Sequence, residues 1–153
     1  MDPLYAREVV ATYPGPSHPS LVITGSTAAV LFMRGVQPRA LVNERFIVLA
    51  LDSRKRVISW SEIARGQQGS VVVDRADVYR YCLLSGGVAF LLAHNHPSGD
   101  PAPSGADREL TDRIVQGGAL VGLRFLDHVI LGAESHYSFL DSGYDMGAEA
   151  PTL

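Results

Sequence analysis

Residues 87–107 read GVAFLLAHNHPSGDPAPSGAD, and they are the most informative segment of the sequence for both the fold and the candidate site. Its apolar first part is typical of a buried strand, which Pro97 would end. His94 and His96 stand one residue apart, so on a strand both side chains point to the same face. The Pro-, Gly- and Ser-rich part predicts a stiff loop that can return the carboxylate of Asp107 to the two imidazoles.

Two imidazoles and one carboxylate form the protein ligand set of a catalytic zinc site, with a fourth position left open. The same set also suits ferrous iron, so an iron oxygenase is an alternative. Each residue has a plainer explanation as well, because a strand histidine is often a hydrogen-bonded core residue and a first-turn carboxylate favours the helix dipole. The spacing and the stiff loop together favour metal ligation by His94, His96 and Asp107.

Other residues of the loop have predicted roles of their own. Ser104 directly precedes the predicted helix 105–116, so it suits a helix N-cap. Its hydroxyl could also donate a hydrogen bond to an oxyanion formed during attack on a carbonyl. Asp100 is too close to His96 to be the obvious ligand, and we expect it to brace the loop through backbone hydrogen bonds.

A hydrolytic zinc site also needs a base that takes a proton from water and passes it to the leaving group. Glu44 is our candidate, because it stands just before the apolar strand Phe46–Leu51 and could project beside the histidines. A solvated charge at the start of a strand is the plainer explanation. Glu62 is the other candidate, but it lies beyond the predicted hairpin.

The spacing of these residues resembles a known signature. A His-any-His pair, seven residues, Ser, two residues and Asp form the JAMM (MPN+/JAB) metallopeptidase pattern, which the chain matches at His94, His96, Ser104 and Asp107. The longer string HNHPSGDP resembles the RadC family, as do LDHVILG and YSF further along the chain. The resemblance covers about residues 44–139.

The JAMM resemblance implies a deaminase-like α/β fold, with Glu44 as general base and acid and Ser104 at the oxyanion. It implies a zinc-dependent hydrolase that cleaves a peptide or isopeptide bond of a peptide or protein substrate. RadC-like proteins also carry a DNA-repair label, so the second hypothesis is a module that binds protein or DNA partners without peptidase activity. Asp127 and His128 recur in the RadC pattern, and we prefer a buried structural pair to a role in orienting a ligand.

The alternation of helices with apolar strands predicts a three-layer α/β/α domain around a mixed sheet. The predicted helices are 24–34, 75–84 and 105–116. Asp74 is expected to start the second, and Gly35 and Gly117–Gly118 are two of the predicted ends. The predicted strands are 4–12, 46–51, 56–60, 70–73, 88–93, 120–125, 127–131 and 135–140. We assign residues 1–35 to an N-terminal strand and helix of the same domain, 36–141 to the RadC-like core and 142–153 to a flexible tail.

Composition limits the class of protein. A chain of 153 residues, 46% of them hydrophobic, suits one globular domain with a sizeable core. The single cysteine, Cys82, excludes an internal disulfide and a Cys-rich zinc ribbon, and is expected to be a buried thiol. We expect a cytoplasmic protein with neither a signal peptide nor a membrane span.

Charge argues against strong non-specific DNA binding, because the net charge is −3 and phosphate contacts need clustered Lys and Arg. The densest basic cluster, Arg54–Arg56, is expected to be a solvated hairpin turn. His18 and His136 are predicted to be surface residues.

Overall fold

The computed structural model describes residues 21–36, 42–66 and 71–145. Its strands are β1 (Glu44–Leu51), β2 (Val57–Gly66), β3 (Ala89–Asn95), β4 (Arg124–Leu131) and β5 (His136–Ser138). Its helices are α1 (Ser26–Val36), α2 (Arg75–Leu84) and α3 (Gly105–Leu120). None of these described helices is long and apolar enough to cross a membrane.

The five strands form one mixed sheet in the order β2-β1-β3-β4-β5. β3 and β4 are parallel, whereas the other neighbouring pairs are antiparallel. Parallel neighbours need a long crossover connection, which α3 supplies between β3 and β4. All residues of β3 are buried, because it lies at the centre of the sheet and is covered on both faces.

Two hydrophobic clusters lie on opposite faces of the sheet and make three layers. Alternate residues of β1 divide between them, since strand side chains alternate in direction. Ile47 and Leu49 pack towards α1, whereas Phe46 and Val48 pack towards α2 and α3. The predicted three-layer α/β/α architecture with a mixed sheet is therefore confirmed.

Several local predictions are confirmed as well. The apolar run 46–51 lies in β1, and the run 88–93 lies in β3 from Ala89 onwards. Asp74 caps α2 by accepting a hydrogen bond from the Ala76 N–H. The basic cluster forms the turn between β1 and β2, where the Arg56 Nε donates to Asp52 Oδ2 at 2.7 Å. β2 runs on to Gly66, well past the predicted end of this strand.

Cys82 is a free, buried thiol, as the composition indicated. Burial raises its pKa to about 12, so it stays protonated and unreactive. It packs in the cluster between the sheet and α2–α3.

The predicted end of α3 is wrong. The helix continues through Gly117 and Gly118 to Leu120. The two predicted strands 120–125 and 127–131 form one strand, β4, which begins only at Arg124. A Cβ atom on Gly118 would lie 3.0 Å from Cε1 of the buried Phe90 ring. The glycine therefore lets the helix pack closely on the sheet, and it is not a helix stop.

Two further boundaries differ from the prediction. α1 includes Gly35 and ends at Val36, whose side chain packs against the α1-side cluster and so favours one more residue of helix. Residues 71–73 do not form a strand, although Val71 and Val73 pack against the opposite cluster. The predicted strand 4–12, His18 and the tail beyond residue 145 lie outside the described residues, and the assignment of segments to one domain stays a prediction.

We predict that Gly118→Leu lowers the free energy of unfolding by about 1–3 kcal/mol, because the new side chain overpacks the Phe90 ring. Gly35→Leu is the control, since nothing lies within 4 Å of a Cβ there and Leu favours a helix over Gly by up to about 1 kcal/mol. Denaturant unfolding of both variants measures the difference. Equal stability of the two variants would show that Gly118 has no packing role.

Candidate metal centre

The candidate metal centre lies where β3 ends, beside the start of β1 and the first turn of α3. β1 and β3 are antiparallel and pair Phe46 with His94, so Glu44 at the start of β1 lies near the histidines. Glu44, His94, His96 and Asp107 each present one ligand atom, and these atoms all lie within 4.8 Å of one another. The structure therefore brings together four of the five residues selected from the sequence as site residues.

The distances among the three predicted ligands fit a tetrahedral ion. The Nε2 atoms of His94 and His96 are 3.0 Å apart. Asp107 Oδ1 lies 3.3 Å from His94 Nε2, and Asp107 Oδ2 lies 3.4 Å from His96 Nε2. Two atoms that each lie about 2.0 Å from a tetrahedral zinc ion are separated by about 3.3 Å. The observed distances are close to this spacing, so the three side chains could hold a metal ion.

Glu44 stands slightly further away, with Oε1 3.8 Å from His94 Nε2. It is buried, and this burial is the largest cause of the rise in its pKa above the ordinary value. A carboxyl group with a raised pKa beside a metal site can exchange protons closer to neutral pH. The position suits either a base or a fourth ligand.

The Asp107 carboxylate belongs both to the candidate metal centre and to the N-terminal cap of α3. Its Oδ2 accepts hydrogen bonds at 2.7 Å from both the N–H and the hydroxyl of Ser104, and the Asp107 N–H donates to Ser104 Oγ at 3.1 Å. This capping box begins α3. Burial acts to raise the Asp107 pKa, but the neighbouring imidazoles of His94 and His96 outweigh it and hold that pKa well below its usual range. The carboxylate is therefore ionised, as a metal ligand must be.

A series of buried hydrogen bonds through Thr111 and His128 fixes the tautomer of His94. The Thr111 hydroxyl donates its single proton to the Asp107 carbonyl at 2.6 Å, so it can only accept from Nδ1 of His128, 2.7 Å away. Burial holds the His128 pKa well below its usual value, so the ring is neutral and its Nε2 is an acceptor. That Nε2 accepts from His94 Nδ1 at 2.8 Å, which leaves the lone pair of His94 Nε2 facing the site.

His96 is oriented in the same manner by the loop. Its Nδ1 lies 2.8 Å from the carbonyl oxygen of Asp100, and as the donor there it presents its Nε2 to the site. The Asp100 carboxylate accepts from the Ala102 N–H at 2.9 Å, which confirms the prediction that Asp100 braces the loop. The loop also packs tightly on the residues after β4, since a Cβ on Gly132 would lie 2.5 Å from the Gly99 carbonyl oxygen.

The sequence model of the protein family described as the RadC-like JAB domain matches residues 23–144. This range includes every residue of the candidate metal centre. The chain belongs to the RadC-like JAB domain family. The family resemblance read from the histidine loop is therefore confirmed, and so is the α/β fold that it implied.

The RadC-like chain has many related sequences in bacteria and archaea. A UPF0758 protein of Syntrophotalea carbinolica is 42% identical over 100 residues, which are 65% of this chain and 44% of that protein. A UPF0758 protein of Methanosarcina acetivorans is 36% identical over 101 residues, 66% of this chain and 44% of that protein. One of Bacillus licheniformis is 37% identical over 106 residues, 69% of this chain and 47% of that protein. This RadC-like chain spans about half the length of the curated relatives it matches.

Asn95 has a role in this RadC-like domain that the sequence did not indicate. The main-chain ladder between β1 and β3 ends at Phe46 and His94, and the Asn95 side chain extends it. Its Oδ1 accepts from the Arg45 N–H at 2.9 Å, and its Nδ2 donates to the Asn43 carbonyl at 3.1 Å. These two residues flank Glu44, so Asn95 fixes the candidate base relative to the two histidines.

The preferred interpretation of Asp127 and His128 as one structural pair holds only for the first residue. Asp127 accepts from the Ser138 hydroxyl at 2.6 Å and from the Leu140 N–H at 3.0 Å, which ties β4 to the turn after β5. His128 instead contacts His94 and orients it, the alternative that the sequence left open. The sequence indicated only that His128 lies in a predicted apolar strand. Its contact with His94 depends on the register between β3 and β4, which the sequence does not show.

The remaining sequence candidates lie away from the centre. Glu62 forms ion pairs with Arg45 and Arg65, at 2.5 Å and 2.7 Å, so it is held on β2. His136 is exposed, as predicted. Ser104 lines the same cavity as Glu44, His96 and Asp107, with its hydroxyl engaged in the capping box.

Thr111→Val removes the hydroxyl that accepts from His128 while it keeps the volume of the side chain. We predict a roughly 10–100-fold loss of zinc affinity, because the tautomer of His94 is no longer fixed. Thr111→Ser keeps the hydroxyl and is the matched control, with an affinity near that of the unchanged protein. Competition with a chromogenic zinc chelator measures both variants, and equal affinities would contradict the role of this chain of hydrogen bonds.

Proposed function

We propose that this protein is a zinc-dependent hydrolase of the JAMM type that cleaves a peptide or isopeptide bond. One observation carries the proposal: two imidazole nitrogens and a carboxylate converge beside a second, buried carboxylate at an open cavity of about 650 Å³. A structural zinc site would use four protein ligands and would be closed. Three ligands at an open cavity, with a candidate base next to them, favour a catalytic role.

His94, His96 and Asp107 would hold the ion, and their nitrogen and oxygen donors suit zinc. When bound, zinc lowers the pKa of a water molecule and polarises the carbonyl group of the substrate. Glu44 accepts a proton from the attacking water and delivers it to the leaving amine. Its buried position and raised pKa support this exchange, because a carboxylate with an ordinary pKa is a weaker base and would accept the proton of water less readily.

Ser104 is proposed to stabilise the oxyanion that forms as the carbonyl is attacked. Its hydroxyl lies on the cavity wall next to Asp107. The proton of this hydroxyl points to Asp107 Oδ2, so it must turn towards the substrate oxygen during the reaction. The capping hydrogen bond from the Asp107 N–H does not use this proton and can remain in place.

A peptide suits this cavity better than a nucleic acid. The described residues that line it include two carboxylates, those of Glu44 and Asp107, and neither lysine nor arginine. A phosphodiester needs positive side chains around it. An uncharged amide has no such requirement. This contrast favours hydrolysis of peptide bonds over a direct action on DNA.

For the compartment we propose the cytoplasm, where a free thiol such as Cys82 remains reduced.

We predict about one bound zinc per chain and a strong reduction in His94→Ala. The reason is that each of three ligands contributes a bond that the other two cannot replace. Elemental analysis after dialysis measures the zinc content, with His136→Ala as the control because that histidine is exposed and distant from the ligand group. Absence of any transition metal from carefully purified protein would refute the metal site.

Glu44→Gln should abolish hydrolysis and leave zinc binding intact, because the amide keeps the volume but cannot take up the proton. We expect a fall in kcat of about 10²–10⁴-fold on peptide and isopeptide substrates. Glu62→Gln is the control, since Glu62 pairs with Arg45 of β1 and Arg65 of β2 and is not one of the clustered residues of the candidate metal centre. Unchanged kcat in Glu44→Gln would exclude Glu44 as the base. Activity that required oxygen would instead support an iron oxygenase.

A further inference from the structure

The cavity at the metal centre has two chemically different sides. Its polar side carries Glu44, His96, Ser104 and Asp107, which the proposed function uses. Its other side is apolar, and we call it the apolar wall, consisting of Phe46, Val71, Val73, Ala106 and Leu110. Neither the ligand set nor the proton transfer requires this wall.

Residues 71–73 contribute two side chains to the apolar wall. Burial alternates along them, as expected where successive side chains point in opposite directions. Val71 and Val73 are half-buried and pack against the hydrophobic cluster of α2 and α3, whereas Val72 between them is 90% exposed. The two inward valines therefore line the cavity while the middle one faces away.

The other members of the wall belong to rigid elements. Phe46 lies in β1 and stacks on the His94 ring, with ring centroids 5.8 Å apart. Ala106 and Leu110 are four residues apart on α3, so they share the helix face that also carries Asp107 near its start. The apolar wall thus adjoins the metal ligands directly, within the reach of a residue whose carbonyl lies at the metal.

We propose that the apolar wall is a subsite for an apolar side chain on the substrate residue next to the cleaved bond. This rests on the proposed hydrolase function. The cavity volume of about 650 Å³ lies within the usual range for ligand pockets, about 300–1,000 Å³. An apolar side chain there would be removed from water against the wall, which stabilises the bound substrate. An acidic side chain would lose hydration and would face Glu44 and Asp107 without a cationic partner among the described lining residues.

Amino-acid hydroxamates test the subsite separately from catalysis. The hydroxamate group binds zinc through its two oxygens, so it anchors the probe at the metal and directs the side chain into the cavity. Calorimetry on the zinc-loaded protein should show leucine hydroxamate binding at least roughly tenfold more tightly than glycine or aspartate hydroxamate. Equal affinities for the three probes would overturn the subsite.

Two variants within residues 71–73 provide a matched comparison. Val73→Lys places a positive charge in the apolar wall, and the preference for the leucine over the aspartate probe should fall at least roughly tenfold. Val72→Lys introduces the same charge on the exposed side and should leave the preference unchanged. Binding of the aspartate probe is gained in Val73→Lys, so misfolding cannot imitate the result. An equal effect of the two variants would overturn the assignment.

A peptide series then separates the two proposals. Peptides that differ only in the residue next to the cleaved bond should show at least roughly tenfold higher kcat/KM with leucine than with aspartate. If the leucine probe is preferred but no peptide is cleaved, the hydrolase proposal fails, and the apolar wall stands only as a binding site for an apolar side chain. If peptides are cleaved without regard to this residue, the subsite fails and the hydrolase proposal stands. Failure of the protein to bind zinc would overturn both.

Discussion

The return of Asp107 to the end of β3 is the contact on which the rest of the site depends. His94 and His96 are neighbours through strand geometry alone, but the carboxylate comes from a different element, eleven and thirteen residues further along the chain. The loop between them is held by glycines that permit close backbone contacts and by the Asp100 carbonyl on His96. At its end, the Ser104 capping box fixes both the start of α3 and the direction of the Asp107 side chain.

Behind the ligands, polar groups are buried at a position where unpaired ones would be destabilising. A buried hydroxyl or imidazole without a hydrogen bond costs about 1–3 kcal/mol. Here the Thr111 hydroxyl and both ring nitrogens of His128 are paired, and the Phe139 ring stacks on His128 with centroids 5.1 Å apart. The same pairing that makes this burial tolerable also sets the tautomer of His94. Stability of the core and orientation of a ligand are therefore two results of one arrangement.

Much of this structure could be predicted from the sequence, because the signals were local. The apolar runs gave β1 and β3, Asp74 gave the start of α2, and the histidine spacing with Ser104 gave the ligand group. What failed depended on distant packing. Gly118 looks like a helix stop until the Phe90 ring is found against it. The roles of Asn95 and His128 need the register between strands, which no pattern within one segment contains.

A crystal structure of zinc-soaked protein with anomalous diffraction data would test most directly whether His94, His96 and Asp107 together hold one divalent ion. We expect one anomalous peak about 2.0–2.2 Å from Nε2 of His94, Nε2 of His96 and a carboxylate oxygen of Asp107. The fourth position should open into the cavity lined by Ser104 and Glu44. A peak elsewhere, or a zinc ion that leaves Asp107 in its capping box without ligation, would show that these three side chains do not form the metal site.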